Sequence, residues 1–542
     1  MPSRQLQTDG RPAAACLGAR PFLPVPCRLE ELLSSFGRAL SLNIAARLIS
    51  AGAGILCIPL YLHFLGLEAY GLVGVYSTLM VLGLALEGLT PTVTRQLARL
   101  SGTASAGLQR DFVVTLALPV WGLALSTGLA VALAANFIAT GWVTADALPA
   151  ETVRHAILAM AGILALQWPV GFYCGALTGL ERQEAVADIT IAAALIRTVV
   201  TVLVLWLVSP AIEAFFACQA LASLVNVAGA ALWLQRVLPK DAAPRRFRPE
   251  FLRDCWRFAA AMTGILLLAR VSGQLDKVML SRFVGLEEFG FYMLGWSIAN
   301  GLGALSQPCQ ILWFPRLVKL VQVRDEKALA KAYHQGVQAI AVLVLPIAVT
   351  LALFAPEALT LWTRQPDIAA KAAPVLALLV SAVALEAMTY ISNSLQMAYG
   401  WTRLTLSAQL VYCAVMIPAA ALLAEQWGAL GVAGGLLGLN ATLLVTTQIL
   451  MHRRFLTGEL GAWWTGDVLP PLVAAVAAAL LWRFAVPQPS TGMAGAAHLA
   501  AAGLLALIAA ALATPFGRGV LAMAGTMLGA TLTRRSRRIE EA

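Results

Sequence analysis

Apolar runs of about 20 residues, long enough to cross a hydrocarbon core as helices, recur roughly every 30 to 40 residues from Leu40 to Leu512. Little sequence is left between them for a water-soluble domain. Charged residues make up 12% of the chain and mean hydropathy is +0.78, whereas soluble domains carry about 25% charged residues. The expected fold class is an all-α integral membrane protein of about 14 transmembrane helices.

Breaks in the apolar pattern divide the chain. Residues 1–37 read as a cytosolic tail rich in Pro, Arg and small residues, with no continuous apolar core of a signal peptide. A first six-helix bundle is expected over 38–236, a basic cytosolic linker over 237–256 and a second six-helix bundle over 257–457. Helices 13 and 14 occupy 458–514, and a basic cytosolic tail follows over 515–542.

The net charge of +10 does not point to nucleic acid, because the basic residues gather in short loops. Of 38 Lys and Arg, 29 fall in the tails and loops of one side, 5 on the other and 4 within spans. By the positive-inside rule both termini are cytoplasmic, and the expected location is a bacterial inner membrane. The eight cysteines show neither CxxC nor metal-ligand spacing and read as small apolar fillers.

The chain also repeats itself. Phe64–Gly71 (FLGLEAYG) is echoed by Phe283–Gly290 (FVGLEEFG) at an offset of 219, and Gly179 and Arg182 align with Gly400 and Arg403 at 221. Pro119 and Pro346 sit in similar mid-span settings. Six spans per half is an even number, so both halves enter from the same side. They form parallel repeats related by an axis along the membrane normal, expected to face each other across a central cavity.

The GLE(A/E)(Y/F)G turn after spans one and seven, the Asp276-Lys277 pair followed by LSRFVG, and the six-plus-six-plus-two layout resemble the polysaccharide flippases of the multidrug/oligosaccharidyl-lipid/polysaccharide exporter superfamily. The resemblance covers roughly residues 40–455. It implies movement of a polyprenyl-pyrophosphate-linked oligosaccharide from the cytoplasmic to the periplasmic leaflet, for O-antigen or exopolysaccharide synthesis. The implied partners are that lipid-linked substrate, membrane lipids and other polysaccharide assembly proteins.

Ionisable residues within spans are functional candidates because they are costly there. Arg270, Gln274 and Lys277 have i, i+4, i+7 spacing and would share a helix face, as would Asn43, Arg47 and Ser50 on the equivalent first span. Arg197 adds a mid-span cation. A functional reading places pyrophosphate on Arg47, Arg197 and Arg270, since guanidinium pairs with phosphate oxygens bidentately. Glu386, Tyr390 and Asn393 form a second stripe suited to sugar hydroxyls. Glu87, Asp276 and Glu386 are candidates for coupling to H+ or Na+, and no other cofactor is expected.

Structural readings stand beside these. Lys277 and Arg47 could snorkel to the interfaces, Arg270 could pair with a carboxylate, and Glu386 could serve helix packing. Glu87 and Asp276 could simply neutralise Arg47 and Lys277. Trp142, Trp313, Trp362, Trp463 and Trp464 near span ends read as an interfacial belt, and glycines 428, 431, 434, 435 and 438 as a small-residue packing face on span twelve. A cation-coupled multidrug exporter of the same superfamily is the nearest alternative function. A polymerase or ligase is disfavoured by outside loops of only about 15 residues, short for a catalytic domain, and no Walker A motif provides for ATP hydrolysis.

Overall fold

The computed structural model describes residues 54, 56–83, 89–103, 106–238, 246–253, 255, 268, 270–487 and 492–523. Arg47 and Glu87 lie outside the described residues, as do Asn43 and Ser50. What is described is helical throughout, with a single isolated bridge between Thr144 and Gly285. This follows from the solvent: in hydrocarbon every backbone N–H and C=O must be satisfied within the chain, and a helix does this segment by segment.

The first bundle comprises α1 (Leu56–Leu65), α2 (Leu67–Gly83), α3 (Ala106–Phe137), α4 (Ala150–Gly179), α5 (Gln183–Leu207) and α6 (Ile212–Val237). The second begins with α7 (Leu275–Phe283), α8 (Leu286–Val323), α9 (Glu326–Leu353) and α10 (Pro366–Ala398). A continuous helical stretch, Arg403–Arg454, is divided at Gly428, where φ is 58° and ψ −141°. Its two arms, 403–427 and 429–454, are α11 and α12. The chain closes with α13 (Leu460–Ala485) and α14 (Gly492–Leu512). Among the described residues nine helices are long and apolar enough to cross a membrane, and they coincide with expected spans three to six and nine to fourteen; spans two and eight overlap α2 and α8, and the described ends of spans one and seven are α1 and α7. Large apolar side chains such as Leu118, Leu133 and Phe484 point outward and exposed, as a lipid-facing surface requires.

The bundles meet where the repeated turns lie. There α2 packs on α8, and the contact is made twice. A Cβ at Gly71 would strike the Leu286 carbonyl oxygen, and one at Gly290 the Leu67 carbonyl oxygen. Both pairs are related by the offset of 219, so the crossing lies on the pseudo-two-fold axis. Only glycine permits backbones this close. Tyr70 Oη and Ser297 Oγ, 3.1 Å apart, bridge the same two helices. Leu286 N donates to Thr144 O at 3.0 Å, and Trp142 Nε1 donates to Ser281 Oγ at 3.2 Å.

Two sequence expectations need correction here. Gly428 belongs to the turn between α11 and α12 rather than to a packing face. Its left-handed φ favours glycine, and a side chain there would meet the Glu288 carboxylate, which accepts from Ala429 N at 2.7 Å. Trp463 is no interfacial anchor either. It is fully buried against Trp464 and His452.

Helices α13 and α14 pack on α9, and a polar knot joins them. Asp467, in a π-helical turn at the start of α13, bonds His334 Nδ1 and accepts from Gln338 Nε2 at 2.8 Å. Gln338 Oε1 in turn accepts from Phe516 N at 3.0 Å, just beyond α14.

Candidate functional site

The Arg270–Gln274–Lys277 face is interrupted. The helix breaks into a turn at Gly273 and Gln274, and α7 begins anew at Leu275. Arg270 is consequently exposed, Gln274 half-buried and Lys277 almost fully buried at 1%. Lys277 does not snorkel. Its Nζ donates to Asp276 Oδ1 at 3.0 Å, Asp276 Oδ2 at 3.1 Å and Gly273 O at 3.0 Å, and it lies 3.4 Å from the Trp296 ring centroid. Tyr292 Oη donates to Asp276 Oδ2 at 2.5 Å. The ammonium's donors are thus engaged within the protein, and the pair contributes no net charge to its surroundings.

Beside this pair lies a cavity of about 200 Å³ whose lining runs from Ser272 to Thr447, wholly within the second bundle. It brings together Asp276, Glu386, Tyr390 and Asn393, although the helix loosens at Met388 and Thr389 between the stripe's members. Glu386 is exposed to this interior space, and its carboxylate has no hydrogen-bond partner among the described residues. Some polar neighbours are already committed: Asn393 Nδ2 donates to Thr389 Oγ1 at 3.4 Å, and Thr405 Oγ1 to Gln396 Oε1 at 3.0 Å. Gln274 Oε1 is buried without a partner. Sequence reasoning missed the wall contributed by α11. Thr405, Gln409 and Tyr412 line it, and their i, i+4, i+7 spacing was the available signal.

Arg197 is not with this group. It borders a cavity of about 430 Å³ inside the first bundle, together with Tyr61, Tyr76, Gln219 and Asn226. The two cavities are repeat equivalents. Gly54 and Gly273 line one each at an offset of 219, as do Ser77 and Trp296, and Asn226 and Leu444 do so at 218. Their polarity differs: carboxylates line the second-bundle cavity, a guanidinium the first. The sequence reading expects the polar stripe of span seven to face a central cavity between bundles, whereas the described cavities that hold Asp276 and Arg197 each lie within one bundle.

A family model described as polysaccharide biosynthesis protein matches residues 36–321. No curated protein matches the chain in sequence. The structure is similar to the lipid II flippase MurJ in an inward closed conformation, with a TM-score of 0.67 and 10% identity over 89% of this chain and 100% of that one. It is also similar to an inward-facing multidrug resistance MATE family transporter of the MOP superfamily, with a TM-score of 0.60 and 15% identity over 76% of this chain and 95% of that one. For an outward-facing MATE transporter the TM-score is 0.50, at 15% identity over 77% of this chain and 95% of that one. At these identities the structural similarity shows a shared fold.

Proposed function

Because this chain belongs to the polysaccharide biosynthesis protein family and has the fold of MOP superfamily transporters, we propose that it flips a polyprenyl-pyrophosphate-linked oligosaccharide from the cytoplasmic to the periplasmic leaflet. The observation that carries this reading is the second-bundle cavity, where hydroxyl, amide and carboxylate groups converge among apolar helices. Such groups suit sugar hydroxyls, which need both donors and acceptors. Glu386, Tyr390, Asn393 and Gln274 are the proposed sugar contacts. Arg270, exposed beside the helix break, and Arg47 are the proposed phosphate contacts. Lys277 positions Asp276. At about 200 Å³ this cavity is smaller than the ~300–1,000 Å³ of typical ligand pockets. A whole head group is accommodated only when the bundles part, as alternating access requires.

Glu386, Asp276 and Glu87 are the proposed positions for coupling to H+ or Na+. The carboxylates in the second-bundle cavity also favour a second reading, a cation-coupled exporter of organic cations. Family and fold make the chain a transporter rather than an enzyme, and a bacterial inner membrane with cytoplasmic termini is the proposed setting. Deleting the gene and identifying the accumulating lipid-linked glycan separates the two readings. A flippase leaves such an intermediate on the cytoplasmic side, and Arg270→Ala at normal protein level reproduces the defect. Absence of any intermediate, with heightened sensitivity to cationic drugs, supports the exporter.

A further inference from the structure

The first-bundle cavity carries unmet hydrogen-bonding capacity of both kinds. Arg197 sits in a π-helical turn, Ile196–Val200, within α5. This wider turn turns the Arg197 carbonyl to side chains of neighbouring helices: Tyr61 Oη donates to it at 3.1 Å and Gln219 Nε2 at 3.3 Å. Single π-turns inside helices concentrate at functional sites. The guanidinium itself has one long bond, Nη2 to Ser223 Oγ at 3.5 Å, and its buried Nε has no partner. Among the described residues no carboxylate lies within salt-bridge distance of it. In the same lining Gln219, 2% exposed, and Asn226, 9% exposed, bury Oε1 and Oδ1 without partners. Because the Gln219 amide nitrogen is already engaged by the Arg197 carbonyl, its free atom is an acceptor.

An unpaired buried donor on a cation and two unpaired buried acceptors are each costly, and together they specify a complement. The ligand must present an oxyanion to Arg197 and hydroxyl protons to Gln219 and Asn226. A bare phosphate supplies the first and a neutral sugar the second. A sugar bearing its own anionic group supplies both.

We infer that the first-bundle cavity is a subsite for a hydroxylated oxyanion, the chemistry shared by an acidic sugar and by the phosphate-linked sugar of a lipid carrier, with Arg197 holding the oxyanion and Gln219 and Asn226 accepting from adjacent hydroxyls. The inference rests on the flippase reading for its biological sense but is tested independently of transport. Full-length protein purified into lipid nanodiscs is titrated with glucuronate, glucose 1-phosphate, glucose and inorganic phosphate, with binding read by calorimetry.

The expected result is saturable binding of glucuronate or glucose 1-phosphate, with glucose about tenfold weaker or more, the loss that follows when a charged hydrogen bond is missing, and inorganic phosphate weaker by a smaller factor because it lacks the sugar hydroxyls. Binding of glucuronate alone assigns the subsite to an acidic sugar, and of glucose 1-phosphate alone to the carrier linkage. Arg197→Gln lowers the affinity by a similar factor, and Arg197→Lys restores part of it. Should Arg197→Gln fail to fold, Asn226→Leu keeps the guanidinium and narrows the gap between glucose 1-phosphate and inorganic phosphate. Equal binding of glucose, no binding at all, or unchanged affinity in folded Arg197→Gln overturns the subsite. The flippase reading then still stands or falls on its accumulation assay.

Discussion

At the scale of single residues, Lys277 shows how far a charge in an apolar run can be read. Its position in a span was legible, because an ammonium is costly in hydrocarbon and must be there for a reason. What it does was not, because the helix break at Gly273 and Gln274 turns it away from Arg270 and onto Asp276 and Trp296. Periodicity assumes an unbroken helix, and a Ser-Gly-Gln step conceals the break. Removing one member of a buried ion pair leaves the other uncompensated, so Lys277→Met is expected to destabilise the protein by about 3 kcal/mol or more, whereas replacing both charges costs less. Thermal unfolding in detergent of Lys277→Met, Asp276→Asn and the double variant checks this. Additive losses would mean that the pair is not a unit. Arg197 was likewise legible as an unusual cation. Gln219 and Asn226, which line the same cavity, were not, since isolated amides in spans carry no distinctive pattern until packing brings them together.

At the scale of elements, the echoed turns revealed the duplication. A repeat establishes equivalence and says nothing of contact, so the role of Gly71 and Gly290 as the point where α2 and α8 touch came only from their packing. A β-branched residue at either position has to force the backbones apart, and overpacking of this kind costs about 1–3 kcal/mol. That strain falls on the crossing of α2 and α8 and is relieved when the bundles separate. Gly290→Val is therefore expected to shift the population toward forms open at this end. Spin labels at the exposed positions Glu151 and Asp367 would report longer distances in the variant, and an unchanged distribution would show that the crossing does not gate. The break in α10 at Met388 and Thr389 was hidden because no Gly or Pro marks it, unlike the Gly273 step before α7.

At the scale of the whole molecule, the all-α fold, the two parallel bundles and the terminal helix pair were written in hydropathy and repeats, the strongest signals a membrane chain carries. The internal placement of the cavities was not. Which face of a span turns inward depends on neighbours that a single helix does not announce. The attachment of α13 and α14 is another example, since His334, Gln338 and Asp467 are far apart in sequence and meet only in the folded chain. Asp467→Asn keeps the shape but removes a charge-assisted contact with His334, and such bonds are worth about 1.5–3 kcal/mol. The expected outcome is easier proteolysis between α12 and α13 with the two main bundles intact, read by limited digestion. Loss of all structure at once would show instead that the terminal pair is integral to the bundles.

The doubled glycine crossing has a consequence for how the two helices part. Its two backbone contacts lie side by side on one pair of helices, so their free energies are coupled rather than independent. Neither contact is lost without disturbing the other, and the crossing is expected to open in one step. Duplication in this chain thus supplied more than a second set of helices: it joined two weak fastenings into a single cooperative one.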